Sequence, residues 1–265
     1  MAVGSGRRWT RWVLPTYVAV VLIYLVSPIV VMIVYSFNNS GFKKVSFRWV
    51  GFTFKWYPRV FDKPDLTAAL KNSLVVAGVS TVIATTLGTM IALALVRYRF
   101  PGKGAAEMVM FMNISAPEIV LGASLLSLFI TFGVPRGMVT IIIAHVMFNI
   151  AYVTVTVRAR LAGFNRSLEE AAQDLGAGPW TTFWRVTFPI IFPGILAGGL
   201  LAFALSIDDF VITNFNAGQV KTFPLWVYGA VKVGIPPQVF VMGTLIFMGG
   251  VILAITNLML QRRKV

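Results

Sequence analysis

The chain has 265 residues, 57% of them apolar and only 12% charged, and its mean hydropathy is +0.81. That charged fraction is about half of what covers a water-soluble domain, so the composition excludes a soluble globular protein and fits a surface turned toward hydrocarbon. The formal charge of +14 is interspersed between apolar segments, which points to basic loops beside membrane spans and away from nucleic acid; no cysteine is present, which excludes disulfides and thiolate chemistry.

At roughly 20 to 30 residues for each span with its loop, about six spans fit and no length remains for a soluble domain. The predicted fold is all-α, a polytopic membrane protein with six transmembrane helices in a single transmembrane domain over residues 1–265. In chain order the spans are Val13–Tyr35, Ser73–Val96, Met108–Phe132, Gly137–Val157, Val186–Ile207 and Gln238–Gln261. Arg7, Arg8 and Arg11 resemble the start of a signal peptide, but Ser36-Phe37-Asn38-Asn39 offers no small-x-small cleavage site. The first span therefore reads as a retained anchor. The third span alone carries a charge, Glu118, near its middle and directly after the helix-disturbing Pro117. Gly198-Gly199 and Gly249-Gly250 offer close helix packing.

Orientation follows from Lys and Arg. With an internal N-terminus, Arg7, Arg8, Arg11, the loop Arg97–Lys103, Arg158, Arg160, Arg166, Arg185, Arg262, Arg263 and Lys264 all fall inside, more than half of the 23 basic residues. The first outer loop, basic from Lys43 to Lys63, runs against the rule. The expected topology has both termini cytoplasmic.

The loop at about residues 158–188, between the fourth and fifth spans, is the richest in local signals. Ser167 and Glu170 have the S-x-x-E spacing of a capping box, so a helix is expected to begin at Leu168. Gly176 is placed to end it in the left-handed conformation, and Pro179 suits the first turn of a second helix lying along the inner membrane face. Local physics leaves open whether this compact corner docks a partner or simply lies at the interface.

Glu170-Ala171-Ala172, three residues, Gly176, nine residues and Val186-Thr187-Phe188-Pro189 resemble the EAA motif of ABC-importer permeases. Val186 and Phe188 stand where that pattern has Ile and Leu, and the spacing matches over twenty residues. The resemblance implies the type I permease fold, with a coupling helix seated in a groove of a separate ATP-binding subunit. It assigns coupling to Ser167, Glu170, Ala171, Ala172, Gly176 and Pro189, and gives Glu170 two jobs, capping and partner contact. It also implies a homologous second permease, two copies of the ATPase and an extracytoplasmic substrate-binding protein. Arg97-Tyr98-Arg99-Phe100-Pro101-Gly102 is similar to the family's inner loop. Ser206–Val211 and Tyr228–Gly234 look like the spermidine/putrescine branch, in its second permease subunit. On that resemblance the chain is a multi-pass protein of the bacterial inner membrane. It would move a cationic small molecule, spermidine or putrescine foremost, inward by alternating access. The competing readings are another substrate (iron, an amino acid or another small solute) and a self-sufficient secondary transporter or channel.

No catalytic constellation is present. Pro101-Gly102-Lys103-Gly104 lacks the upstream glycine and final Ser or Thr of a P-loop, so no cofactor is expected on this chain, with ATP and magnesium on the partner. His145 is the only histidine, too few for a metal cluster, and is expected to be packed or hydrogen-bonded within its span. Gly122-Ala123-Ser124-Leu125-Leu126 gives no nucleophile turn, which argues against a membrane-embedded hydrolase. Acids in or beside spans are costly and mark paths or partners. Glu118, Asp208 and Asp209, with Tyr152, Trp226 and Tyr228 as aromatic walls, are the candidate substrate path, matching ammonium groups by ion pairing and cation–π contact. The plainer reading is that Asp208 or Asp209 caps a re-entrant turn or pairs with a neighbouring subunit. Adjacent helical residues point about 100° apart, so both aspartates are not expected to face one ligand.

Overall fold

A computed structural model describes residues 6–40 and 48–262. Lys43, Lys44, Arg263 and Lys264, counted in the charge pattern above, lie outside the described residues. Two compact units are present, Met1–Lys63 with Ala230–Gly249, and Pro64–Gly229 with Gly250–Val265. Among the described residues, five helices are long and apolar enough to cross a membrane, or up to six if one bent pair is counted as a span.

In the first unit, helix α1 (Gly6–Ser36) presents Val13, Leu14, Leu22, Ile23 and Val30 outward with no polar stripe. A helix apolar on its exposed sides is solvated by lipid. The chain after it folds around one buried side chain. Asn38 donates from Nδ2 to the Arg48 carbonyl at 2.9 Å, and its Oδ1 accepts from the Val50 amide at 2.9 Å. Its own carbonyl accepts the Trp56 indole at 3.0 Å. Phe37 stacks on Phe52 and Tyr57 beside this knot, with ring centroids 5.3 and 5.2 Å away.

The second unit opens with α2 (Pro64–Arg97), whose buried residues are mostly Ala, Gly, Ser and Thr. It packs against α5 (Met138–Ala162) and α8 (Phe188–Asp208) around Ala92, Val153, Val157, Leu161, Ile191 and Ala202. Small side chains let these backbones approach closely, which is how helices gain packing energy where lipid removes the hydrophobic drive. A Cβ on Gly88 would stand 2.8 Å from the Val153 side chain and 3.1 Å from the Ile150 carbonyl. Gly88→Leu is therefore expected to destabilise the unit by about 1–3 kcal/mol through overpacking, read as a lower melting temperature in detergent. Gly198 and Gly199 do serve close packing, against Val153 and Thr85, whereas a Cβ at Gly249 or Gly250 would meet nothing within 4 Å.

The third span differs from expectation. It is two helices, α3 (Lys103–Ser115) and α4 (Glu118–Thr131), bent by 111° at the break. Ala116 is extended (φ −71°, ψ 137°), as a residue before proline prefers, and Pro117 brings no amide to continue the ladder. Glu118 thus opens a helix at a corner instead of sitting mid-span.

After α5 come α6 (Ser167–Asp174), α7 (Pro179–Thr182), a π-turn (Phe183–Thr187) and α8. The second helix does not lie apart along the membrane face as expected; Pro179–Asp208 runs as one apolar stretch. The π-turn has a physical cause. Pro189 lacks an amide and its ring crowds the carbonyl four residues back, so the turn widens and Phe188 N–H bonds the Phe183 carbonyl instead. Short helix α9 (Val211–Asn216), α10 (Phe223–Val233) and α11 (Pro237–Arg262) complete the chain. The start of α10 is pinned to α2, where Ser73 Oγ accepts the Phe223 amide at 2.9 Å and Asn72 Nδ2 reaches the Lys221 carbonyl at 2.9 Å.

Candidate functional site

Two places gather the residues singled out in the sequence. The first is the loop holding α6. Its end is built as expected, since Gly176 is left-handed (φ 83°) and donates to the Gln173 carbonyl at 2.8 Å. The Ala177 amide reaches the Ala172 carbonyl at 3.0 Å, which completes a Schellman closure. Pro179 occupies the first turn of α7 and Pro189 that of α8.

The start of α6 is a correction. No capping box joins Ser167 and Glu170; helix begins at Ser167 itself, and Asn165 Oδ1 accepts the Ser167 amide at 3.1 Å. Asn165 is as good a local acceptor as serine and lies two residues earlier, so it forms the turn first. Glu170 is thereby released from capping and is exposed, as are Ala171 and Leu175, while Ala172 is half-buried. The acid that turns inward is Glu169, which sequence reasoning passed over. Its side chain is 13% exposed and is ion-paired with Arg97, the last residue of α2. It also accepts the hydroxyl of Thr187, a fully buried residue of the π-turn, while Arg97 donates to that hydroxyl at 3.2 Å.

The second place is the corner between α8 and α9. Asp208 is the last residue of α8 and is exposed. Asp209, with a side chain only 5% exposed, turns back into the protein. Its Oδ1 accepts the Ile212 amide at 3.2 Å, and its Oδ2 accepts the Thr213 amide at 2.8 Å and hydroxyl at 2.7 Å. Asp209 therefore caps α9. His145 from α5, buried and 2% exposed, stands 3.2 Å from the same Oδ2 by its Nε2. That nitrogen is 2.9 Å from Thr213 Oγ1, and Nδ1 is 2.6 Å from Ser206 Oγ, itself 3.1 Å from Ser80 Oγ. The lone histidine is hydrogen-bonded inside its span, as expected. Asp208 and Asp209 diverge, also as expected for neighbours at a helix end.

Glu118 is exposed at the start of α4, the helix that meets α9 at Gly122, where an added Cβ would stand 3.3 Å from the Ile212 Cα. Tyr228 is exposed, with its ring 4.6 Å from that of Phe210, the residue after Asp209. Trp226 is half-buried on the same helix. Tyr152 packs on Phe148 at 5.1 Å within the cluster of Leu125, Phe129, Ala144 and Ile212, a core position. The corner thus gathers two open carboxylates, one buried carboxylate that shapes the turn, and an exposed aromatic ring.

Comparison with known proteins gives a consistent result. A family model described as "Binding-protein-dependent transport system inner membrane component" matches residues 84–264. The spermidine/putrescine transport system permease protein PotC of Escherichia coli (strain K12) is 36% identical over 249 residues, 94% of this chain and 93% of that protein. The putrescine transport system permease protein PotI of the same strain is 39% identical over 231 residues, covering 84% and 81%. Among solved structures, a bacterial ABC transporter importing the acidic polysaccharide alginate aligns with a TM-score of 0.68 at 14% identity, covering 97% of this chain and 99% of that one. An amino acid ABC transporter aligns at 0.59 and 17% identity, covering 80% and 99%. The helical fold with its bent third span, the Schellman-closed loop helix and these relatives lead to one assignment: the chain is a multi-pass membrane protein of the family of binding-protein-dependent transport system inner membrane components.

Proposed function

We propose that this chain is one permease subunit of an ATP-driven importer for a small organic polycation, spermidine or putrescine. The carrying observation is the acid corner, where Asp208 and Asp209 join α8 to α9 beside Phe210 and Tyr228 and where α4, which opens at Glu118, packs against α9. It sits in a chain whose relatives at 36% and 39% identity are permeases for those amines. Glu118 and Asp208 would take the separated ammonium groups, Tyr228 would wall them, and Asp209 would set the geometry of the corner.

The remainder of the assembly follows from the family. A binding protein delivers the amine, a second permease completes the path, and two copies of an ATPase hold ATP and magnesium. The termini and the loop of α6 face the cytoplasm, where Glu170, Ala171 and Leu175 present an exposed face to the ATPase.

The test is uptake by the assembled transporter, with putrescine, spermidine, amino acids and sugars as competitors. Competition by the two amines alone is expected. Glu118→Gln is expected to weaken apparent amine affinity about tenfold, the worth of one partly desolvated charge-assisted contact, and to leave the amount of protein in the membrane unchanged. Unaltered amine uptake in that variant would remove Glu118 from the path.

A further inference from the structure

The docking reading leaves Glu169 without a task, although it is adjacent to Glu170 and turned the opposite way. Among the described residues, no other side chain of α6 makes an ion pair or hydrogen bond. Its partners are the inner ends of two helices of the three-helix core. Arg97 closes α2, and Thr187 closes the π-turn that leads into α8. Arg97 Nη2, Glu169 Oε1 and Thr187 Oγ1 form a closed triangle in which each pair is hydrogen-bonded.

We propose that Glu169, and not Glu170, carries movement of the docking helix into the membrane core, acting through Arg97 and Thr187 as a three-point strut. This rests on the reading of the chain as a permease driven by a separate ATPase. The physical argument is stiffness. An exposed ion pair yields and re-forms with water at little cost, so displacement of α6 would be absorbed at the surface. This pair is 13% and 26% exposed and braced by a fully buried hydroxyl. Separating it leaves a largely desolvated charge without its partner, so displacement of α6 pulls on the end of α2 and the foot of α8. The push arrives at the π-turn, the foot of α8, whose Phe188 amide still bonds the Phe183 carbonyl and so hands the displacement on to that helix. Glu169 is thus a positioning residue for transport: it touches neither amine nor nucleotide.

The experiment uses the complete transporter, with second permease, ATPase and binding protein, in lipid vesicles supplied with spermidine. Three quantities are read: ATPase retained on purification, ATP hydrolysis, and spermidine imported per ATP hydrolysed. For Glu169→Ala the ATPase should remain bound while import per ATP falls about tenfold, within the usual range of coupling between sites. The reversed pair, Arg97→Glu with Glu169→Arg, should recover import per ATP to within about threefold of the parent. A staple that only holds the fold would lower the yield of complex and leave import per ATP unchanged, and that outcome overturns the proposal. Loss of the ATPase from Glu169→Ala would also overturn it, by making Glu169 a docking residue. Should Glu169→Ala fail to accumulate, Thr187→Val keeps the ion pair and removes the brace; an unchanged ratio there is equally fatal. An unaltered chain that retained no ATPase would instead remove the permease reading, and the strut with it.

Discussion

Asp209→Ala is expected to abolish amine uptake and to lower the melting temperature of the purified protein, whereas Asp208→Asn is expected to impair uptake alone. Two neighbouring acids of the same type part company because their oxygens face different surroundings. Those of Asp209 are occupied by the amides of Ile212 and Thr213, the Thr213 hydroxyl and His145. Truncation strands buried donors on α9 and on α5, each at a cost of about 1–3 kcal/mol. The turn that aims Asp208 would be released with it. Asp208 is exposed and carries no such burden, so its amide variant should fold normally and show a raised apparent KM for the amine. Melting curves in detergent alongside uptake separate the two; equal melting temperatures for both variants would refute the division of labour.

The second large effect concerns the docking loop. Glu170→Arg combined with Gly176→Leu is expected to leave the chain in the membrane but to strip it of the ATPase and of ATP-driven uptake. Leucine at φ 83° costs about 1–2 kcal/mol in the left-handed region, and it destabilises the closure made by the Gly176 and Ala177 amides. The end of α6, with exposed Leu175, would then lose its fixed direction. Arginine at position 170 reverses the charge of the outward face. Co-purification of the ATPase with this variant, together with surviving uptake, would exclude α6 as the docking element.

How legible each feature was depended on how far its cause lies along the chain. The spans were readable because hydropathy accumulates over contiguous residues. Gly176 was readable because a Schellman closure is made within one turn of its own glycine. Pro117 was noticed, but both flanks remain apolar, so hydropathy could not tell a kinked span from two helices bent by 111°. Ser167 was misassigned as a cap because Asn165 competes for the same end of the helix at a distance of two residues, and spacing rules do not rank such rivals. Glu169 was invisible because its partner Arg97 is 72 residues away. The same holds for His145, whose partners Ser206 and Thr213 lie 61 and 68 residues further on. Its burial was foreseen from composition, yet the corner it supports was not.

The π-turn gives the nine residues between Gly176 and Val186 a meaning beyond mere length. Each helical residue advances the chain by about 100° around the axis, and the wide turn at Phe183–Thr187 adds its own offset to that rotation. The interval therefore acts as a phase angle. It sets the azimuth, relative to α8, at which the helical stretch begins at Pro179. Deleting a single residue between Pro179 and Thr187 would turn the start of that stretch, where the chain arrives from α6, by about 100° relative to α8 without altering any side chain in α6 or α8.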